Sequence, residues 1–416
     1  MIIPNKAVVT LQPNWSEIYR GETITLRCEI KDGGDTEWEY EWRTTSSEKP
    51  SNQNELSIRS VSASHSGVYR CKGRKKSEKS STDWSDPFKL TVSDKPQSVL
   101  TVSPSWLSAG ASVTLNCSVK DQSAGWRIYW YKTVPDPSDN SYSYELLPGS
   151  SSGTEQDSYI VHGQTHTAGY VCRAGRGDPV YYTDYSQPKF VWSADFHPAS
   201  LRVSPDRAQH FSSESVSLSC EGNSAEWRVM RFTKADRLSN CSDFGTVKGS
   251  TCNVHNLTKN TAVYWCESGS GQFSNAVNIT VQNKNIILLS SVHPVTGGHP
   301  VTLGCKSKTE NLVSNVLFYR NGHLIQNDTK GQLYISEASK SDEGFYWCEH
   351  SGNVSPQSWV AIKYSCFVRP VQSESANTEH VDYENDNYSA LLHGDVCLYE
   401  TIRGRKEAEH DSCFVR

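Results

Sequence analysis

The sequence predicts an all-β chain of four tandem β-sandwich domains followed by a disordered tail. Three observations carry this expectation: a strand pattern that recurs four times, a cysteine pair attached to each recurrence, and a polar closing segment from which the pattern is absent. With 416 residues the chain is too long for one compact domain and fits three or four units of about 100 residues each.

The first half of the pattern is an alternating strand that ends in cysteine: ETITLRC at Cys28, SVTLNC at Cys117, SVSLSC at Cys220 and PVTLGC at Cys305. Ile24, Leu26 and Cys28 point one way, as do Val113, Leu115 and Cys117, which is the period-2 signature of a half-buried strand. The second half is GVYRC at Cys71, GYVCR at Cys172, AVYWC at Cys266 and GFYWC at Cys348, with Tyr69, Tyr170, Tyr264 and Tyr346 two residues before the cysteine. Between the halves lie Trp42, Trp130 and Trp227, while the fourth unit offers Phe318 or Tyr319. This cysteine, tryptophan, tyrosine-x-cysteine set is that of the immunoglobulin-like sandwich, in which a ring packs on the inter-sheet disulfide and the tyrosine hydroxyl bonds back to the backbone. It pairs Cys28 with Cys71, Cys117 with Cys172, Cys220 with Cys266 and Cys305 with Cys348, at separations of 43, 55, 46 and 43 residues. Cys241 and Cys252 are then expected to join each other; a metal site is the rival reading, but no histidine or further cysteine stands at ligand spacing. The extended endings FKLTVSDKPQ, PKFVWSAD, VNITVQNKN and WVAIKY set the expected domains at 1–94, 95–193, 194–283 and 284–364, with the tail at 365–416.

Composition narrows the function classes. A net charge of −5, with Lys+Arg 41 against Asp+Glu 46, leaves no electrostatic footprint for nucleic acid. Thirteen cysteines, 12 tryptophans and 20 tyrosines against 2 methionines suit small disulfide-stapled cores made in an oxidising compartment. Asn-x-Ser/Thr acceptors at Asn14, Asn256, Asn278, Asn327 and Asn353 agree, with weaker ones at Asn116 and Asn240. The 13 histidines are scattered, and no Gly-rich phosphate loop, His-Glu-x-x-His or nucleophile motif is present. The expectation is therefore a protein that is not an enzyme and uses no cofactor or metal.

The sets WSDPFKLTV, VLTVSPSWLSAGASVTLNC, VSPDRAQHFSSESVSLSCEGNSAEWRV and SKSDEGFYWCEHSGNVSPQSW resemble the immunoglobulin domains of Fc receptors and Fc receptor-like proteins over about residues 5 to 364. The resemblance implies a leukocyte protein on the external side of the plasma membrane that binds immunoglobulin or another extracellular protein ligand and signals inside the cell. Fold alone does not settle this, because immunoglobulin domains also serve adhesion.

The tail carries Tyr388-Ser-Ala-Leu391 and Tyr399-Glu-Thr-Ile402, two Tyr-x-x-Leu/Ile units with seven residues between Leu391 and Tyr399. This resembles the immunoreceptor tyrosine-based activation motif. A Src-type kinase would phosphorylate both tyrosines; each phosphate then enters an SH2 arginine pocket while Leu391 or Ile402 fills the apolar pocket beside it. Two units on one strand suit a cytosolic tandem-SH2 kinase, whose second contact is intramolecular. Tyr383-Glu-Asn385 adds an adaptor SH2 site. A cytosolic tail needs a membrane span, yet no run of about 20 apolar residues and no leader is legible. The expectation is a membrane product whose span, between about residues 364 and 379, is absent from this chain; the alternative is a secreted or adhesive binder whose tail is silent.

Four further features have two readings each. Arg176-Gly177-Asp178 is the tripeptide integrins read on exposed loops, but Gly-Asp-Pro also simply makes a turn. The basic run GRKKSEK, from Gly73 to Lys79, is either a solvated hairpin or a contact for an acidic partner. Trp84 and Trp106 either pack the joint of the first two units or anchor a ligand. Cys366, Cys397 and Cys413 fall outside the paired set, and Cys366 is placed for palmitoylation.

Overall fold

The computed structural model describes residues 6–31, 37–50, 52–75, 80–107, 112–119, 125–136, 141–195, 199–224 and 226–364. The tail expectation and the Lys76–Lys79 part of the basic run lie outside them. Among the described residues nearly all regular structure is strand, with one short helix, Cys241–Phe244, and two 3-10 turns, Ala63–His65 and Lys340–Asp342. The chain divides into two compact units, one of Met1–Trp106, Ser112–Gln164 and Ala168–Val191, the other of Leu107–Ala111, Thr165–Thr167 and Trp192–Arg416.

The first unit holds two sandwiches. In one, the sheet Lys6–Gln12, Ile24–Lys31 and Glu55–Ile58 faces Trp38–Thr44, Gly67–Lys75 and Phe88–Leu90. In the next, Ser158–Val161, Val113–Val119 and Ser98–Ser103 face a sheet built on Arg127–Pro135 and Ala168–Arg176, with Tyr142–Leu146 and Tyr181–Tyr182 outside them. The second unit repeats the plan, with Trp227–Thr233 against Asn260–Ser268 and then Val316–Arg320 against Gly344–His350 as central pairs. Three short parallel pairings tie the beginning of a sandwich to its end: Ile18–Tyr19 with Val92–Ser93, Gln209–Phe211 with Val277–Gln282, and Val295–Thr296 with Ile362–Lys363.

Each core is built across the two sheets. Disulfides join Cys28 to Cys71, Cys117 to Cys172, Cys220 to Cys266 and Cys305 to Cys348, with Cα atoms 5.9–6.3 Å apart, and Cys241 is joined to Cys252. Opposite the second cysteine of each core pair the strands place Trp42, Trp130, Val229 and Phe318. The third unit departs from the expected tryptophan. Trp227 lies two cross-strand pairs along, opposite Ser268, and the Cys241–Cys252 bridge joins the same core as the smaller Val229. In the fourth unit Phe318 fills the ring position and is fully buried, while Tyr319 faces outward. The Tyr69 and Tyr346 hydroxyls donate to the carbonyls of His65 and Asp342 at 2.8 and 2.7 Å. Tyr170 donates instead to the Gln164 side chain, and Tyr264 sits edge-on to Phe244.

The two sandwiches of the first unit are joined through a buried ion pair. Arg176 ends the strand Ala168–Arg176, and its Nε and Nη2 donate to the two carboxylate oxygens of Glu22 at 2.7 and 2.9 Å. Nη2 also donates to the Glu17 carbonyl at 2.7 Å, and Glu22 accepts from the Tyr19 amide at 2.8 Å. Trp15, Tyr19 and Trp126 surround the guanidinium with ring centroids 4.4–5.0 Å away. Tyr181 adds a hydroxyl bond to the Arg20 carbonyl. Gly125 is required here, because a Cβ would come within 2.5 Å of the Trp15 ring and φ is +96°. The rings expected at this joint, Trp84 and Trp106, are not the ones just named: Trp84 lies between Arg43 and Lys72 of the first sandwich.

In the second unit, the Gln209 side chain bridges its two sandwiches: Nε2 donates to the Pro356 carbonyl and to Ser358, and Oε1 accepts from the Leu288 amide. Glu214 accepts from Lys306 of the following sandwich and from Arg207. Beside them His210 is fully buried; its Nε2–H donates to the Arg207 carbonyl at 2.9 Å, and burial pushes its pKa down to about 4, helped by the charge of Arg207.

Two outcomes follow. Replacing Arg176 or Glu22 singly by alanine should lower stability by about 3–5 kcal/mol in denaturant unfolding, because the survivor is a buried unpaired charge, whereas Arg176→Met with Glu22→Leu should lose much less. His210 binds its proton more readily unfolded than folded, so its contribution is intact above pH 6.5 and is lost progressively as pH falls toward 4, up to about 3 kcal/mol. His210→Gln should flatten that part of a stability–pH profile.

Candidate ligand-binding face

The strand pair Arg127–Pro135 and Ala168–Arg176 directs Trp130 and Cys172 into the core of the second sandwich. The side chains between them must then face outward: Tyr129 and Tyr131 on one strand, Val171 and Arg173 on the other. Tyr144, Tyr182 and Tyr185 complete a cluster with them. Tyr129 meets Tyr182 edge-on at 5.1 Å, Tyr131 meets Tyr185 at 5.2 Å, and Tyr144 lies 4.6 Å from Tyr185.

Arg173 sits among these rings. Its guanidinium carbon is 3.8 Å from the Tyr182 centroid, 4.6 Å from Tyr185 and 5.4 Å from Tyr131, and its Nε donates to the Tyr131 hydroxyl at 2.9 Å. Burial pushes the Tyr131 phenol up to about 12 against the opposing pull of Arg173, and it raises Tyr129 and Tyr144 as well. All three hydroxyls are therefore protonated at neutral pH, and the one fixed charge of the cluster is the guanidinium. Tyr144, Tyr182, Tyr185 and Arg173 remain half-exposed, and Leu146 beside them is exposed.

Such a surface combines large apolar area with a cation that has already lost most of its rotamer freedom. Tyrosine and arginine are enriched among the residues that dominate protein–protein binding, and a pre-organised side chain reduces the ordering cost of association. Sequence reading missed this face. The usable signal was Tyr129-Trp130-Tyr131, where an inward Trp130 forces both tyrosines outward.

The other expected site residues are placed as follows. Asn14, Asn256, Asn278 and Asn327 are exposed; Asn353 is half-buried and its amide bonds Ser351 and Asn285. Arg176 cannot serve an integrin-type tripeptide, because its side chain is buried against Glu22, as the need to pair a desolvated cation requires. Tyr383, Tyr388, Leu391, Tyr399 and Ile402 lie outside the described residues. No helix among the described residues is long and apolar enough to cross a membrane.

An immunoglobulin-domain family model matches residues 6–74, and a second immunoglobulin-domain model matches residues 285–362. The low affinity immunoglobulin gamma Fc region receptor III-B of Oryctolagus cuniculus is 25% identical over 225 residues, covering 51% of this chain and 83% of the relative. Receptor III-A of the same organism is 24% identical over an equal span. The N-terminal four Ig domains of Dscam1 isoform 1.9 superpose with a TM-score of 0.24 at 13% identity, covering 87% of this chain and 100% of that one. The repeated disulfide-and-ring cores and the immunoglobulin-domain matches give this chain the architecture of the immunoglobulin superfamily, and over about half of its length it is similar to Fc receptors.

Proposed function

We propose that this protein is a cell-surface immune receptor that takes an extracellular protein ligand, with immunoglobulin the first to test, on the tyrosine–arginine face of its second sandwich. Arg173 held among Tyr131, Tyr182 and Tyr185 is the observation that carries the binding half. The relatives' names supply the ligand class, since both are immunoglobulin gamma Fc region receptors. The signalling half rests on the spacing of Tyr388 and Leu391 against Tyr399 and Ile402. On this reading ligand clusters the chains, a Src-type kinase phosphorylates both tyrosines, and a tandem-SH2 kinase docks with the gain of an intramolecular second contact.

Five disulfides support an oxidising, extracellular compartment for the domains, and the sequons Asn14, Asn256, Asn278, Asn327 and Asn353 would carry glycans there. The rival reading, a secreted or adhesive binder, shares the binding face and differs only in where the tail resides. Protease treatment of intact leukocytes separates the two: a shaved outer epitope with a protected Tyr388–Ile402 epitope supports the receptor, and both epitopes found only in the medium support the secreted form.

Arg173→Ala should weaken capture of an immunoglobulin probe by about tenfold or more, with Tyr185→Ser giving a similar loss and the unfolding midpoint little changed. Unchanged binding in both variants would remove this face from the proposal. Tyr388→Phe combined with Tyr399→Phe should abolish recruitment of a tandem-SH2 kinase after crosslinking; recruitment at the native level would refute the role of the tail.

A further inference from the structure

The second sandwich holds three arginines, Arg127, Arg173 and Arg176, and the fold uses them differently. Arg127 donates to the carbonyls of Ser152 and Gly153 and to the Glu155 carboxylate, at 2.8, 3.0 and 3.1 Å. Arg176 donates to Glu22 and to the Glu17 carbonyl. Arg173 gives only its Nε–H, to the Tyr131 hydroxyl at 2.9 Å. Among the described residues its Nη1 and Nη2 have no acceptor, and no carboxylate pairs with it. The acidic residues next to the cluster's tyrosines in sequence are committed elsewhere. Asp184 pairs with Lys95 at 2.6 Å, and alternation puts Glu145, opposite Lys132, on the reverse side of the strand from Tyr144.

We propose that the end-on pair of N–H groups on Arg173 takes a carboxylate of the extracellular protein ligand, carried on an acidic side chain or on a sialic acid of its glycans. The inference rests on the reading of this face as the ligand-binding one and adds the chemical group that the face selects. A guanidinium presents two parallel N–H groups that match the two oxygens of a carboxylate, with bonds of about 2.7–2.9 Å. A neutral amide offers one acceptor and no charge, so the same site discriminates against it.

The surroundings favour an anion at that end. The Tyr131 hydroxyl accepts from Nε and keeps its own hydrogen, because burial raises its pKa to about 12, and burial holds Tyr129 and Tyr144 protonated as well. No phenolate therefore opposes an incoming carboxylate at neutral pH. The rings of Tyr131, Tyr182 and Tyr185, 3.8–5.4 Å from the guanidinium carbon, lower the local dielectric and strengthen the pair. They and the Nε bond also fix the side chain before the ligand arrives, so little rotamer freedom is left to lose on binding.

Surface plasmon resonance on the full chain tests this with four dextran-linked probes: a glutamate peptide, its glutamine counterpart, sialyllactose and lactose. At least one anionic probe should bind about tenfold or more tighter than its neutral counterpart. Arg173→Lys, which keeps the charge and loses the fork, should remove most of that preference without moving the unfolding midpoint. Arg74→Gln, at an exposed arginine of the first sandwich, should leave it unchanged. Preference within the peptide pair assigns the carboxylate to a side chain, and preference within the sugar pair assigns it to a sialic acid; either supports the proposal. Equal binding of charged and neutral probes overturns it, as does no binding of any probe or a preference that survives Arg173→Lys. A preference that falls equally in Arg74→Gln also overturns it, by reducing the effect to general charge attraction. Immunoglobulin capture is read separately. A chain that prefers the anionic probes without capturing immunoglobulin keeps this inference and loses the immunoglobulin reading, and Arg173-dependent capture without a carboxylate preference does the reverse.

Discussion

The ion pair of Arg176 and Glu22 is the constraint on which the first unit depends. Both side chains are almost entirely removed from water, so neither tolerates the absence of the other. The Glu17 carbonyl of the first sandwich takes a guanidinium proton from the second, and within the first the Tyr19 amide holds the Glu22 carboxylate in place. The rings of Trp15, Tyr19 and Trp126 exclude solvent and lend their π faces to the cation. What results is an orientation fixed by hydrogen-bond geometry rather than by general apolar contact. The tyrosine face on the second sandwich therefore stands at a set angle to the first.

One strand, Ala168–Arg176, carries most of this arrangement through its two-residue period. Tyr170 and Cys172 go inward to the corner and the disulfide, Arg173 goes outward into the tyrosine cluster, and Arg176 reaches across the joint at the strand's end. A slip of one residue would exchange the buried and exposed sets and lose all three roles together. The disulfide to Cys117 and the cross-strand pairing of Trp130 with Cys172 hold that register.

Much of the fold was legible because alternation and cysteine spacing are local. Cys28, Leu26 and Ile24 declare a buried strand face without reference to anything distant, and the same holds at Cys117, Cys220 and Cys305. The reading slipped where two elements compete for one space. In the third unit Trp227 was expected over the disulfide, yet Val229 occupies that position in a core shared with the additional Cys241–Cys252 bridge. The joints were harder still. Arg176 in a Gly-Asp-Pro turn looks like a solvated loop residue, and only the approach of Glu22, 154 residues away in sequence, makes it a buried cation. The outward tyrosines escaped notice for a related reason: a tyrosine in a strand is ordinary by itself, and its meaning comes from neighbours on three other strands.

The short parallel pairings at the edges of the sandwiches bear on how the chain responds to force. In the first, third and fourth sandwiches a strand near the entry runs alongside one near the exit, in the same direction. Tension applied between the two ends of such a module pulls those strands past each other, loading their hydrogen bonds together in shear rather than peeling them one at a time. Behind that mechanical clamp the disulfides limit how far the chain can extend: Cys305 and Cys348, for instance, 43 positions apart in sequence, stay joined even if the sheets part. Those three sandwiches would therefore lengthen little under a pull from a bound ligand.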